Sequence, residues 1–206
     1  EPTSVTIAHG KVLAAVNSTK DFTQPTGHLA VFDLASRKAL GTCPLFGQPD
    51  SIALDKGARH AVIVMENERD EKLNKGAIPQ LPGGNLTIIP LSAAGLPDCT
   101  RAHPVALNGL AEIAPDDAEP ELVKVNAQGI AVVTLQENNH IVLVDVAKRQ
   151  VIQHFSAGTV DLKDIDRRRD GIINPSESAQ GLLREPDAVA WLDTTRFVTA
   201  NEGDYK

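Results

Sequence analysis

Glu185-Pro186-Asp187-Ala188-Val189-Ala190-Trp191-Leu192-Asp193, a turn at Thr194 and Thr195, then Arg196-Phe197-Val198-Thr199-Ala200-Asn201-Glu202-Gly203-Asp204, is a phrase that this chain uses four times. The earlier copies open Glu1-Pro2-Thr3-Ser4-Val5, Gln48-Pro49-Asp50-Ser51-Ile52 and Glu119-Pro120-Glu121-Leu122-Val123. Each leads through a short turn into an apolar run that ends in amides or carboxylates: 12–17, 61–68, 131–138 and 197–204. An internal repeat, here marked by prolines at 2, 49, 120 and 186, outranks other fold signals.

Working outward, the first unit reads as four short strands over 4–8, 12–16, 29–34 and 39–44, separated by turns and one polar loop. The third strand recurs from His28, Asn85 and His140. Its alternation is incomplete, as expected when both sheet faces are packed against neighbours. Short strands, frequent turn residues and almost no helical periodicity predict an all-β array, and four-stranded repeats of this kind are propeller blades. A β-sandwich is the alternative, but it does not require four copies of one Pro-led strand. Residues 1–206 then form a single partial β-propeller domain with blades starting near 1, 48, 119 and 185, and loop insertions at 66–84 and 156–184.

Pro-x-x-Val/Ile-Ala, a turn, an apolar strand ending in Asn or Glu, then a strand ending Val-x-Asp-Val-Ala, resembles the YncE-type or lactonase-like seven-bladed propellers. The stretch from Glu185 to Asp204 is similar more narrowly to secreted bacterial propellers of the choice-of-anchor I or "esterase-like activity of phytase" type. The sequence supplies about three and a half four-stranded blades, too few to close a ring. An open ring exposes apolar faces and strand edges. The expectation is therefore a second polypeptide, cut from the same precursor, that completes the propeller and adds a strand beside Phe197 to Asn201.

The 27 acidic residues outnumber the 20 basic ones and no basic run carries interleaved aromatics, which argues against a nucleic-acid partner. No apolar stretch approaches 18 residues and no charged-then-apolar leader is present, so the expectation is no membrane span, as in a mature periplasmic or secreted protein. Cys43 and Cys99 fit either a disulfide or two reduced thiols, and their place on or near outer strands sets a distance problem for a bond. Without CxxC spacing, zinc is not indicated.

In such blades the loop before strand one and the loop after strand two share a face, and the unusual segments 18–26, 66–84 and 156–184 all fall there. That rim is acidic and rich in amides: Asn17, Asp50, Glu66, Asn67, Glu68, Glu121, Gln136, Glu137, Asn138, Asp187, Asn201, Glu202 and Asp204. Glu66, Glu68, Glu137, Asn138, Asn201, Glu202 and Asp204 are the candidate substrate-binding face, against the reading that strand-end acids merely form turns and solubilise. Convergent carboxylates suit a hard cation such as calcium. A second candidate site is Asp166-Arg-Arg-Arg-Asp170-Gly171-Ile172-Ile173-Asn174-Pro-Ser-Glu177, which has the spacing of a twelve-residue calcium loop. Asp166, Asp170, the Ile172 carbonyl, Asn174 and Glu177 are its candidate ligands, but Arg168 stands at position 3, where a ligand belongs. The competing reading is a loop held by its own Asp and Arg pairs.

No Gly-x-Ser-x-Gly, His-Glu-x-x-His or P-loop motif occurs, so the general acid or base of any reaction is unassigned. The phytase-like resemblance implies a calcium-dependent phosphoric ester hydrolase acting on a phosphorylated small molecule. The alternative is a non-catalytic propeller module that binds a ligand or protein at the same rim.

Overall fold

The computed structural model of the protein describes residues 1–70 and 72–203. The strands are β1 (Pro2–Ala8), β2 (Lys11–Asn17), β3 (Gly27–Asp33), β4 (Ala39–Leu45), β5 (Pro49–Leu54), β6 (His60–Met65), β7 (Asn85–Pro90), β8 (His103–Ala106), β9 (Pro120–Val125), β10 (Ile130–Leu135), β11 (His140–Asp145), β12 (Gln150–Ser156), β13 (Thr159–Ile165), β14 (Glu177–Leu183), β15 (Pro186–Trp191) and β16 (Phe197–Asn201). They form three four-stranded antiparallel meanders, β1 to β4, β5 to β8 and β9 to β12, and a two-stranded fourth sheet, β15 with β16. This is a partial β-propeller, as the repeat requires.

The core lies between sheets. In β6, Ala61, Ile63 and Met65 join Leu13, Ala15, Leu29 and Val31 of the first blade, while Val62 and Val64 join Val123, Val133 and Val142 of the third. One strand serves two interfaces, which is why its sequence is apolar throughout. Burying each such side chain contributes on the order of 1.5–3 kcal/mol.

Turn chemistry repeats with the blades. Asp55 Oδ1 accepts from the Arg59 and His60 amides, Asn126 Oδ1 from Gln128 and Ile130, and Asp193 Oδ1 from Thr195 and Arg196, closing the first hairpin of blades two to four. In the first blade His9 and Gly10 make the turn instead, at φ 46° and 75°, the left-handed backbone that a two-residue hairpin favours.

Cys43 and Cys99 are bonded, with Cα atoms 5.3 Å apart. The expected distance problem does not arise because Cys99 sits in a 3₁₀ turn (Cys99–Arg101) between β7 and β8, which reaches back to β4. The bond staples blade one to blade two. The 156–184 segment also differs from a loop: β13 and β14 pair as a separate two-stranded ribbon. The alternation of Val160 and Leu162 with polar neighbours was the available strand signal, and it breaks before Ile165, where the pairing register shifts.

Candidate functional site: an acidic mouth at one end of the blades

Antiparallel pairing puts the starts of β1, β5, β9 and β15 and the ends of β2, β6, β10 and β16 at one end of the molecule. The inner strands stand side by side: Thr3 Oγ1 donates to the Pro49 carbonyl at 2.9 Å and the Val123 amide to Ser51 Oγ at 3.4 Å, while Thr134 Oγ1 of β10 bridges β9 to β15, accepting from the Leu122 amide and donating to the Asp187 carbonyl at 2.8 Å. The residue after each proline is thus presented in series, as Thr3, Asp50, Glu121 and Asp187.

These carboxyls feel one another. Burial, then Asp187 and Glu68, push Asp50 up to about 6. Burial, then Asp50, Asp187, Glu119 and Glu137, push Glu121 up to about 8. Glu66, which follows β6, is pushed up to about 9 by burial and then by Glu121, Asp50, Glu68 and Glu119. Like charges in a half-buried site oppose ionisation, so protons or an external cation must balance them.

A second group borders the mouth. Arg69 Nη1 donates to Glu119 Oε1 at 3.0 Å and Nη2 lies 3.3 Å from Glu137 Oε2. Glu119 is pushed up to about 7 by burial, with Arg69 opposing the shift and Asp117 and Glu137 adding to it. Gln48 Nε2 donates to Glu68 Oε2 at 3.1 Å, and its buried Oε1 has no hydrogen-bond donor.

The amides of the rim divide into scaffold and surface. Asn67 Oδ1 accepts from the Gln48 amide, and its Nδ2 donates to the Pro82 and Gly83 carbonyls. Asn138 repeats the arrangement one blade on, accepting from the Glu119 amide and donating to the Ile113, Ala114 and Asp117 carbonyls. Both are buried, and each clamps the residue before a blade's proline to the loop beyond. Asn201 accepts from Thr199 Oγ1, and Glu202 Oε2 from Gln136 Nε2 at 2.5 Å, both exposed. Asp204, the last residue of the expected face, lies outside the described residues. Glu66 and Glu68 thus share a field with Asp50 and Glu121, Glu137 joins Arg69 and Glu119, and Glu202 pairs with Gln136. Sequence reasoning did not single out Gln48, Arg69 or Glu119 as site residues. The acid or amide before each repeat proline was the signal for two of them; Arg69 lies in an insertion with no repeat equivalent.

In the ribbon's connecting loop, Asp166 Oδ1 accepts from the Arg168 amide and Oδ2 from the Asn174 amide, while Asp170 Oδ1 accepts from the Ile172 amide. Arg168 Nε donates to Glu177 Oε1 at 2.8 Å. The loop's position-3 cation therefore occupies the carboxylate that would close a calcium site, so in this conformation the loop does not fit the ion. At the mouth the donors are all oxygens, as a hard cation requires, and Gln48 Oε1 adds an unclaimed acceptor. Among the described residues no group of three or more His, Cys, Asp or Glu side chains is placed so that it could hold a metal ion directly, at the mouth or in the ribbon loop.

The fold is shared with solved structures of remote sequence. A luciferin-regenerating enzyme aligns with a TM-score of 0.52 at 9% identity, over 74% of this chain and 45% of that one. The hydrazine synthase of Kuenenia stuttgartiensis aligns with a TM-score of 0.50 at 13% identity, over 71% of this chain and 40% of that one. The chain thus spans less than half the length of these structures. No curated protein sequence matches it. The choice-of-anchor I domain family matches over residues 1–206, the same family that the Glu185 to Asp204 signature resembles, and this chain belongs to it.

Proposed function

We propose that the acidic mouth is a cation-dependent ligand site, in which Asp50, Glu66 and Glu121 take a hydrated divalent cation, calcium by donor chemistry, and through it an anionic ligand such as a phosphorylated small molecule. What carries this reading is the serial placement of Asp50, Glu121 and Asp187 on neighbouring inner strands, with Glu66 beside them. Such a cluster gains from a cation because the ion removes the mutual repulsion. The buried, donor-less Gln48 Oε1 supports it. Calorimetric titration with calcium at pH 7.5 tests it: the wild type is expected to bind and Asp50→Asn with Glu121→Gln to lose binding at least about tenfold. Equal heats from both proteins would reject the site.

Membership of a choice-of-anchor domain family suggests an exported, surface-associated protein, and the Cys43 to Cys99 bond suits the oxidising compartment that a periplasmic or secreted chain meets. No helix of the described residues is long and apolar enough to cross a membrane.

One observation favours phosphoric ester hydrolysis as a second reading. The Glu119 and Asp50 carboxyls, at about 7 and about 6, stand near neutrality, where a general acid or base works best. A bound divalent cation would polarise a phosphoryl oxygen. A phosphatase assay with and without chelator separates the readings: chelator-sensitive turnover supports hydrolysis, and binding without turnover supports the non-catalytic module.

A further inference from the structure

We propose that the end of the blades opposite the mouth docks on a lipid surface that carries anionic headgroups, which leaves the mouth facing away from that surface. Such docking does not depend on what the mouth binds. The turns that join β1 to β2, β3 to β4, β5 to β6, β9 to β10, β11 to β12 and β15 to β16, with the β7–β8 connection, all lie at this end. Two hydrogen bonds tie neighbouring turns together: His9 Nε2 donates to the Gly57 carbonyl at 3.2 Å, and Asn126 Nδ2 to the Thr194 carbonyl at 3.0 Å. Residues 8–11, 33–39, 54–60, 90–103, 125–130, 145–150 and 191–197 hold nine Lys or Arg and five Asp, so this end carries +4 in a chain of −7. The acidic excess sits at the other end, and the two ends of the blades differ in sign.

The five aspartates are committed to the turns themselves. Asp33, Asp55, Asp145 and Asp193 each give Oδ1 to backbone amides of their own turn. Their Oδ2 atoms lie 3.1 Å from Lys11, 3.7 Å from Arg59, 2.9 Å from Lys148 and 2.7 Å from Arg196. Asp98 accepts from Thr100 Oγ1. Arg37, Lys38, Lys56, Arg101 and Arg149 then have no acidic partner among the described residues, and they stand on turns of three different blades. All but the half-buried Arg149 are exposed. Cations spread over the turns of several blades suit a broad anionic surface.

Leucines at the same turns say which kind of surface. Leu34, Leu96 and Leu192, on blades one, two and four, are 48%, 42% and 61% exposed. Aliphatic side chains interspersed with Lys and Arg are what a membrane interface takes up: the cations meet headgroup phosphates while the leucines enter the headgroup layer. A nucleic acid asks instead for aromatic platforms on which bases stack, or for an element that enters a groove. Trp191 and Phe197, the aromatic residues of these turns, pack edge to face on each other, and Trp191 Nε1 donates to the Lys124 carbonyl. They offer no stacking platform.

Flotation of the full-length protein with vesicles of phosphatidylcholine alone, or with about 30% phosphatidylglycerol, tests this in chelator, where no ion bridges the mouth carboxylates to lipid phosphate. Binding is expected to the anionic vesicles alone, and to weaken at least about tenfold from about 0.1 M to about 0.5 M salt. Lys38→Glu with Lys56→Glu and Arg149→Glu should weaken it at least about 30-fold. Lys20→Glu with Lys72→Glu and Lys75→Glu makes the same change of net charge in loops at the mouth end, and should leave binding within about twofold. Leu34→Ser with Leu192→Ser should weaken it about fivefold or more and keep its salt dependence. Melting temperatures identify any variant that fails to fold; if the first triple variant does, Lys38→Gln with Lys56→Gln takes its place, with an expected loss of about fivefold or more. Equal binding to both vesicles, or an equal loss in the two triple variants, would overturn the proposal. So would absence of vesicle binding, including a result in which duplex DNA is bound instead.

Discussion

Arg69 Nη1 donates to Glu119 Oε1 at 3.0 Å, and neither side chain has much access to water. The pair spans two blades, from the insertion after β6 to the residue that leads into β9. Removing one partner of a buried pair leaves an uncompensated charge. Arg69→Ala is expected to cost about 3 kcal/mol in denaturant unfolding at pH 7.5. Adding Glu119→Gln should recover part of that loss, and an additive double variant would mean that the pair does not couple the blades.

Asn138 uses its whole amide inside the scaffold, so its removal should act on stability before it acts on ligands. Asn138→Ala leaves the Glu119 amide and the Asp117 carbonyl without their partner. Each unsatisfied buried group costs about 1–3 kcal/mol. The expected loss is about 3 kcal/mol, read by denaturant titration, with Asn67→Ala behaving alike and the exposed Asn201→Ala changing little.

The four-blade plan was legible because prolines 2, 49, 120 and 186 each open a strand whose third following residue is Val or Ile, a local pattern that survives the different loop lengths. The doubly packed sheets were legible too, from the uninterrupted apolar run of β6. What the sequence hid was set by long-range approach. Whether Cys99 reaches Cys43 depends on a turn folding back over β4, and whether Asn138 faces solvent or scaffold depends on carbonyls more than 20 residues away. Strand-end Asn and Glu residues look equivalent in one dimension; the structure turns Asn67 and Asn138 inward and leaves Glu68 and Glu202 outside.

Arg168 blocks its own loop through the 2.8 Å contact with Glu177. Arg168→Asp removes the block and puts a carboxylate at position 3 of a calcium-loop spacing. Calcium affinity at this loop is expected to rise at least about tenfold over wild type, because a ligand replaces a cation. Calorimetry in an Asp50→Asn, Glu121→Gln background isolates the loop from the mouth. No gain would show that the β13–β14 ribbon fixes a backbone that cannot wrap an ion.

The Cys43 to Cys99 bond closes a sequence separation of 56 residues. Constraining the unfolded chain over such a loop is worth about 4 kcal/mol in the chain-entropy account. Cys43→Ser with Cys99→Ser should therefore lower stability by about 2–4 kcal/mol, and reductant should shift the melting temperature of the wild type but not of the double variant. An unchanged wild type in reductant would mean that the first interface holds without the bond.

The mouth should make stability fall with rising pH. Asp50, Glu119, Glu121 and Glu66 are raised from ordinary carboxyl values of 3.8 to 4.5 to about 6, 7, 8 and 9. A carboxyl whose folded value is raised holds its proton more tightly folded than unfolded. The folded state therefore binds more protons than the unfolded state throughout that interval, and the slope of unfolding free energy against pH is negative. Stability from these groups is fully present below about pH 4 and is lost progressively as pH rises through about 6 to 9. Melting temperatures measured from pH 5 to 9 in chelator should decline, and Asp50→Asn with Glu66→Gln and Glu121→Gln should flatten the decline. Saturating calcium should also flatten it in the wild type while leaving the triple variant unmoved, since an ion that binds only the native mouth stabilises it by mass action. A decline that survives the triple substitution would place the titrating groups elsewhere.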